Sequence, residues 1–268
     1  MEVIDVLLEA SKRVYDNVKH LAGTKESGGD YGLGAGGDIS RKIDIVAEKT
    51  VLDYLKEINF DCTVLGEECG KIELSKNPQG FIIMDAVDGS TNAVRGLPFF
   101  CCSLAFARNN KLSSVTDGVV RDLSRGDAYY ATKGKGAFLN GEKISVCDNK
   151  NPIYFVLGLD ISGISPKVLH ALSPIIASSN HIRHFGANAL EFGMLARGLI
   201  DVFIDLRDKI RVTDIAAGLL IALEAGGIVA DKNGKPLDSD LGYDNKLSFI
   251  ASSNKKTLDD IINRIRQI

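Results

Sequence analysis

Two aspartates, Asp85 and Asp88, stand three residues apart just after a short apolar run at residues 81–84. The run has the length and composition of a buried strand. Carboxylates this close repel each other unless a cation lies between them. Mg²⁺ takes oxygen ligands and leaves coordination positions open for a substrate phosphate. The backbone N–H groups of residues 89–91 should then open a helix, and a helix start binds anions. The segment therefore predicts metal-assisted phosphoryl chemistry.

Three further acidic motifs accompany this segment, at residues 37–44, 66–68 and 214–218. Residues 85–92, continuing to Gly-Leu-Pro at 96–98, resemble the first signature of the inositol monophosphatase family, the lithium-sensitive, Mg²⁺-dependent sugar and nucleotide phosphatases. The other motifs stand in the order that this family shows. The glycine-rich lead-in to the motif at residues 37–44 and the lone Arg95 look most like the archaeal branch that accepts both inositol monophosphate and fructose 1,6-bisphosphate.

The resemblance implies two metal sites and a looser third. Glu67, Asp85 and the carbonyl oxygen of Val87 would hold one Mg²⁺, and Asp85, Asp88 and Asp214 would hold a second. Glu67 would share a third ion with water. From the residues alone, Asp214 suits this role because it opens a helix, where its carboxylate can project into a cleft. Turn formation by an isolated Asp-x-x-Asp-Gly and a plain N-cap at Asp214 are the alternatives.

The resemblance also implies how water is activated. Asp44 and Ser90 would form a pair whose hydroxyl lies between a carboxylate and the attacking water, where it passes or orients the proton. Glu67 is assigned with them as a catalytic residue. The family often has Thr where this chain has Ser90, and Ser keeps the hydroxyl. For Asp44 alone, a first-turn acid favoured by the helix dipole is the alternative.

Substrate contacts are assigned by resemblance and by charge. Guanidinium groups bind oxyanions bidentately, so Arg95, Arg207 and Arg211 are candidates for contacts with substrate phosphate or hydroxyl groups. A single arginine is more often a solvated surface residue, which is the alternative for each. Arg207 stands where the family places a substrate-contacting acidic or polar residue, so it bears on substrate choice. Core packing is the alternative for Asn188. The predicted substrate-binding residues are Gly89, Ser90, Thr91, Arg95, Asn188 and Arg207.

Several other residues receive supporting roles. The stretch 32–37 formally contains G-x-G-x-x-G, but no apolar strand precedes it, so we reject a dinucleotide fingerprint. A flap over the metals is expected there, supported by Asp38, with a plain surface loop as the alternative. Glu68 is expected to be solvated or to support the ligands. His181 and His184 are expected to be structural, because Mg²⁺ prefers oxygen.

The composition is that of an ordinary globular protein. The 268 residues are 45% hydrophobic and 25% charged, with a net charge of −3, so no basic field favours a nucleic-acid partner. No apolar run approaches the length of a membrane span, and the N-terminus lacks a signal-peptide pattern. A cytoplasmic protein without a membrane partner is expected. The five cysteines are expected to be reduced, and a Cys62–Cys69 disulfide stays open.

Hydrophobic periodicity and turn signals divide the chain into two halves. In the first, hairpin turns between short strands indicate an antiparallel sheet; in the second, strands alternate with helices, which suits a mixed sheet. The predicted helices are 3–21, 43–58, 187–197, 213–225 and 256–265. The predicted strands are 63–65, 81–84, 99–107, 114–120, 127–131, 143–146, 153–159, 182–185, 200–204, 227–230 and 247–252.

This order predicts an α/β (α+β) fold, and the resemblance implies a layered αβαβα sandwich of the sugar phosphatase type. Residues 1–268 are expected to form one catalytic unit. Its predicted subdomains are about 1–150, which binds metal on the antiparallel sheet, and 151–268, which is α/β.

The combined expectation is a Mg²⁺-dependent phosphomonoesterase. It would hydrolyse inositol 1-phosphate, fructose 1,6-bisphosphate or both, using two or three Mg²⁺ ions and an activated water, and lithium would inhibit it. One alternative is a 3′-phosphoadenosine 5′-phosphate nucleotidase, which the absence of Trp disfavours. The other is a non-catalytic metal-binding regulatory protein. The small phosphorylated sugar or polyol is the expected partner, and a homodimer is expected by resemblance.

Overall fold

Two β-sheets and three helical layers make up the protein. The computed structural model describes residues 1–147, 156–243 and 245–266. The helices are α1 (Val3–Val18), α2 (Lys42–Glu57), α3 (Ser90–Arg95), α4 (Pro166–Ser178), α5 (Asn188–Ala196), α6 (Val212–Glu224) and α7 (Lys255–Arg266). The strands are β1 (Thr63–Gly66), β2 (Gly70–Glu73), β3 (Phe81–Asp88), β4 (Cys101–Ala107), β5 (Val115–Asp122), β6 (Ala128–Thr132), β7 (Gly136–Leu139), β8 (Glu142–Ile144), β9 (Val156–Asp160), β10 (His181–Arg183), β11 (Val202–Ile210), β12 (Ile228–Ala230) and β13 (Leu247–Ser252).

The first sheet has the order β2-β1-β3-β4-β5-β6-β7-β8. Its strands are antiparallel except for β1 and β3, which run parallel, so the expectation of a wholly antiparallel sheet was wrong at this pair. The cause is the short hairpin of β1 with β2. Because β2 occupies the outer side of β1, the chain crosses back and enters β3 on the inner side, in the same direction as β1.

The second sheet has the order β10-β9-β11-β13-β12. Strand β9 is parallel to both β10 and β11, and β13 is antiparallel to β11 and β12. The predicted mixed sheet is confirmed. Asp160 stands at the carboxyl end of the parallel strand β9, a position from which α/β proteins commonly bind ligands.

The layers follow from which helix faces are apolar. Helices α1 and α2 cover the outer face of the first sheet, α5 and α6 lie between the two sheets, and α4 and α7 cover the second sheet. Residues 212–222 of α6 are all buried, as expected for a helix that is apolar on nearly every face and covered on both sides. The αβαβα sandwich is confirmed.

Several element boundaries differ from the sequence-based expectations. Strand β3 continues to Asp88 instead of ending at residue 84. The prediction omitted β2, β7 and α4, although Ser165 and Pro166 provide a regular N-cap and first helical position for α4. The predicted strand start at residue 153 and the subdomain boundary at 150/151 lie outside the described residues. The two-subdomain division stays a prediction.

Candidate active site

Asp85 and Asp88 reach one cleft because β3 carries a bulge. Asp85 pairs with Ser103 and Asp88 with Cys101, so three steps along β3 match two along β4. In a regular strand, residues three apart point to opposite faces. The extra residue of a bulge reorients one of them. Both aspartates are buried and line a cleft of ≈ 740 Å³.

Glu67 is held beside these aspartates by the parallel pairing of β1 and β3. It follows β1 directly, and its backbone N–H donates to the carbonyl of Met84 at 3.2 Å. One carboxylate oxygen each from Glu67, Asp85 and Asp214 lie within 4.8 Å of one another. Oxygen ligands at this spacing fit a hard divalent cation such as Mg²⁺. Asp88 lines the same cleft, so the structure brings together all four predicted acidic ligands, with Val87 between two of them.

Asp44 and Asp214 are placed by the same local device. Each is the third residue of a helix, and each carboxylate turns back to accept the N–H of the N-cap arginine, at 2.8 Å from Arg41 and 2.9 Å from Arg211. Neither aspartate is itself the N-cap. The pattern Arg-x-x-Asp occurs at both positions in the sequence, so this signal was available. It directs a carboxylate from the first turn of each helix into the site.

Asp44 and Ser90 border a small cavity next to the acidic cluster. The cavity has a volume of ≈ 10 Å³ and is also lined by Glu67 and Asp85. That volume is about what one water molecule requires. Asp44 Oδ1 is buried and has no hydrogen-bond partner among the described residues. The cavity therefore combines room for one water with an unsatisfied carboxylate oxygen.

Burial and mutual repulsion raise the pKa values of these acids. Burial raises the pKa of Asp44 to about 7, and burial followed by the charge of Asp214 raises that of Asp88 to about 7. Burial also raises the pKa of Glu67 to about 8, partly offset by Arg211. The pKa of Asp85 rises well above its usual range through burial and the charges of Glu67 and Asp88. A bound cation would favour the ionised forms, which is the behaviour of metal ligands.

Arg211 is the basic side chain in contact with this cluster. Its guanidinium lies 2.8 Å from Glu67, 3.0 Å from Asp214 and 2.8 Å from Asp38. It was considered as a phosphate ligand, but these three ion pairs commit its nitrogens to carboxylates. Arg211 instead compensates negative charge between two predicted metal ligands.

The glycine-rich segment packs directly on the acidic turn, and its role as a flap stays a prediction. Gly36 N–H donates to the carbonyl of Glu67 at 2.7 Å. A Cβ on Gly36 would stand 2.6 Å from Arg211 Nη1 and 2.9 Å from Glu67 Cγ, so only glycine fits there. Glu68 accepts a hydrogen bond from the Ser40 hydroxyl. Asp38 lines the cleft, is 75% exposed and forms an ion pair with Arg211.

The predicted substrate residues separate into two groups. Arg95 is exposed at the end of α3 and is not among the described residues that line the cleft, so the structure does not bring it to the acids. Arg207 lines the cleft but pairs with Asp160 at 2.8 Å and, through Nε, with Asp205 at 3.0 Å. The residues that do line it are Gly89, Ser90, Thr91, Asn188 and Arg207.

One cleft residue was missed by the sequence analysis, and one predicted residue has an unexpected environment. Asp160 was not singled out, although its place after an apolar strand could have indicated it; it holds both Arg207 and His184, the latter at 3.0 Å. Asn188 Oδ1 is buried and has no hydrogen-bond partner among the described residues.

The disulfide between Cys62 and Cys69 that the sequence left open is not formed in the structure. Both residues are free thiols, and β1 lies between them in the chain.

Comparison with known proteins decides the family. The sequence profile of the inositol monophosphatase family matches residues 1–268. The chain belongs to this family. It is 32% identical to a fructose-1,6-bisphosphatase/inositol-1-monophosphatase of Methanothermobacter thermautotrophicus, over 98% of this chain and 96% of that protein.

Two further similarities come from archaeal and structural relatives. The chain is 35% identical, over 99% of its length, to a bifunctional NADP phosphatase/NAD kinase of Methanococcus maripaludis, of which it spans half. A crystal structure of an inositol monophosphatase–fructose 1,6-bisphosphatase superposes with a TM-score of 0.87 at 31% identity, covering 98% of this chain and all of that one.

As a member of the inositol monophosphatase family, the protein is a metal-dependent phosphoric monoester hydrolase. In the described part of the chain, no helix is long and apolar enough to span a membrane.

Proposed function

We propose that this inositol monophosphatase relative is a Mg²⁺-dependent phosphatase of small polyol and sugar phosphates, with inositol 1-phosphate and fructose 1,6-bisphosphate as substrates. The supporting observation is the acidic cluster beside the water-sized cavity of Asp44 and Ser90. Glu67, Asp85, the Val87 carbonyl, Asp88 and Asp214 would hold two or three ions. The ions would supply Lewis-acid activation of water and neutralise phosphate charge.

The chain's own groups can then move the proton. Water in the small cavity would donate to Ser90 Oγ, and a rotated Ser90 hydroxyl would donate to Asp44 Oδ1, which has no hydrogen-bond partner among the described residues. Burial raises the pKa of Asp44 to about 7 in the metal-free protein, which favours this carboxylate as a proton acceptor. The deprotonated water would attack phosphorus in line as the bond from phosphorus to the alcohol oxygen breaks, and the departing alkoxide would take a proton from solvent.

Other cleft residues are proposed to bind the rest of the substrate. Backbone N–H groups of Gly89, Ser90 and Thr91 would bind the phosphate. Asn188 Oδ1 would accept a hydrogen bond from a polyol hydroxyl, which would satisfy an otherwise unpaired buried oxygen. Arg207, fixed by Asp160 and Asp205, would shape the wall of the sugar site rather than close freely on an anion.

Phosphate release from single substrates tests the proposal. Inositol 1-phosphate, fructose 1,6-bisphosphate and 3′-phosphoadenosine 5′-phosphate are each incubated with the protein, with Mg²⁺ and with EDTA. Release from either of the first two that requires Mg²⁺ supports the proposal and defines the branch. Release from the nucleotide alone would favour the nucleotidase alternative. No release of phosphate from these three substrates or from NADP would favour a non-catalytic regulatory protein.

NADP 2′-phosphatase activity is a second candidate function. The 35% identity to an archaeal NADP phosphatase/NAD kinase supports it, and a cleft of ≈ 740 Å³ lies within the range that accommodates ligands larger than a monosaccharide. NADP is therefore added as a fourth substrate in the same assay. A kcat/KM for NADP above those for the sugar phosphates would make this the main activity.

We also propose a cytoplasmic homodimer, on the basis of family resemblance. Light scattering coupled to gel filtration should give about twice the mass of the 28.9 kDa chain. A monomeric mass would contradict the dimer without affecting the chemistry of the site. Fractionation of source cells would test the location.

A further inference from the structure

Glu48 is a buried carboxylate that contacts the turn carrying Glu67. It is 3% exposed and lies on α2, one helical turn after Asp44. Its Oε1 accepts the backbone N–H of Glu68 at 2.9 Å, and its Oε2 accepts the backbone N–H of Cys69 at 2.8 Å. Residues four apart on a helix lie on the same face. One face of α2 therefore borders the water-sized cavity and also binds the backbone of the metal-ligand turn.

The turn fits tightly against this carboxylate. A Cβ on Gly66 would stand 2.6 Å from Glu48 Oε1 and 2.5 Å from Cys69 Sγ, so the backbone approaches as closely as only glycine permits. On the other side, the Tyr243 hydroxyl donates to the carbonyl of Gly66 at 2.7 Å. The turn between β1 and β2 is thus held from two directions.

We propose that Glu48 is a positioning residue that sets the metal affinity of the site by fixing the Glu67 turn. Through α2, it ties the position of Glu67 to that of Asp44, so the metal-binding and proton-accepting parts of the site keep one geometry. This inference rests on the proposed metal-dependent function. It extends to a residue that lines the water-sized cavity but not the larger substrate cleft.

A carboxylate suits this task better than any neutral side chain of the same size. The two N–H groups belong to successive residues, and each needs its own acceptor. Glutamine offers one oxygen, and its NH₂ group would face the second N–H donor. The Glu48→Gln variant therefore keeps the volume of the side chain but releases or repels one end of the turn.

Metal binding measured without substrate tests the proposal. Mg²⁺ is titrated into metal-free wild type and Glu48→Gln by calorimetry, and kcat is measured at saturating Mg²⁺. We expect the variant's Mg²⁺ Kd to rise by about 10- to 100-fold, as is typical when the support of a metal ligand is lost. We expect kcat at saturation to change by less than about threefold, because the ligands themselves remain.

Glu224→Gln is the matched control. Glu224 also accepts two backbone N–H groups with its two carboxylate oxygens, from Gly134 and from Gly136 at 2.8 Å each, but it does not line the cleft. It should lower Tm and leave the Mg²⁺ Kd unchanged. If Glu48→Gln behaves like this control, Glu48 is only structural and the proposal is overturned.

Two further outcomes are decisive. Wild type that binds no Mg²⁺ would refute the proposed metal dependence, whereas normal wild-type binding with an unchanged variant would refute only the role of Glu48. If Glu48→Gln does not fold, Tyr243→Phe loosens the same turn from its other side. A Mg²⁺ Kd raised in Tyr243→Phe supports control of affinity by the turn, and an unchanged Kd refutes it.

Discussion

Asp88→Asn should stabilise the metal-free protein and abolish its activity. Asp88 Oδ2 accepts the N–H of Ala189 at 2.7 Å, at the start of α5. The amide oxygen of asparagine can accept the same hydrogen bond, so this anchor is kept. The substitution removes one negative charge from a cluster in which Asp85 and Asp214 are also buried.

The size of the stabilisation follows from the pKa of Asp88. Burial and the charge of Asp214 raise it to about 7, against about 3.9 in an unfolded chain. Because the folded pKa is the higher one, ionisation destabilises the fold from about pH 4 upward, and the full cost is reached above pH 7. Three pKa units correspond to about 4 kcal/mol as an upper bound. Since neighbouring acids share the repulsion, we expect a gain of about 1–4 kcal/mol, or roughly 2–7 °C in Tm for a chain of this length.

Calorimetry in EDTA at pH 8 and pH 5 measures this gain, and phosphate release at saturating Mg²⁺ measures activity. The Tm difference between Asp88→Asn and wild type should shrink from pH 8 to pH 5, because wild-type Asp88 becomes protonated. Activity should fall about a thousandfold or more, since a metal ligand is weakened. Asp122→Asn is the control: Asp122 Oδ1 accepts the N–H groups of both Ser124 and Arg125, which an asparagine oxygen can also accept, so we expect a Tm close to that of wild type and normal turnover.

Two results would refute this reasoning. A lower Tm of Asp88→Asn in EDTA at pH 8 would mean that the buried carboxylate is not repelled by its neighbours. Unchanged turnover would show that Asp88 is not a metal ligand, whatever the stability.

Three further predictions concern the same cluster. Burial raises the pKa of Asp44 to about 7 and that of Glu67 to about 8, so the Tm of the wild type in EDTA should fall as pH rises from about 4 to 8. Mg²⁺ should reverse most of that fall at pH 8. A Tm that does not change with pH would contradict the raised pKa values. Gly36→Ala places a methyl group 2.6 Å from Arg211 Nη1 and should weaken Mg²⁺ binding by about tenfold or more in a calorimetric titration. Gly28→Ala is the control: its methyl group makes only an ordinary contact with Val94 at 3.5 Å, so Mg²⁺ binding should be normal. Millimolar Li⁺ should inhibit Mg²⁺-dependent turnover by occupying a weak metal site, and full activity in Li⁺ would exclude such a site.

The acidic residues of the site were predicted from the sequence in two steps. The type and spacing of Asp85 and Asp88 after an apolar run suggested a metal site, and the resemblance of four motifs to the inositol monophosphatase family assigned the full set of ligands. The alternation of apolar and polar positions predicted most strands and helices, and the family resemblance predicted the layers. These signals depend on neighbours within a few residues, which hydrophobic periodicity reports directly.

Long-range contacts decided the arrangement of the site. The bulge that turns Asp85 and Asp88 into one cleft depends on pairing with β4, and the parallel entry of β3 depends on where β2 packs. Residues far apart in sequence, such as Asp38 and Arg211, form ion pairs that no local pattern specifies.

The sequence therefore predicted, through the family resemblance, which residues would bind metal, and its periodicity predicted most of the strands and helices. The tertiary structure decided that Arg95 is exposed away from the cleft and that Glu48 binds the turn of Glu67. It also decided that Asp44 Oδ1 is buried with no hydrogen-bond partner among the described residues. Arg95 and Glu48 illustrate the difference, since one is exposed away from the cleft and the other is buried against the turn of Glu67. The physical reason is that burial and charge compensation are properties of the assembled surroundings, whereas secondary structure depends largely on adjacent residues.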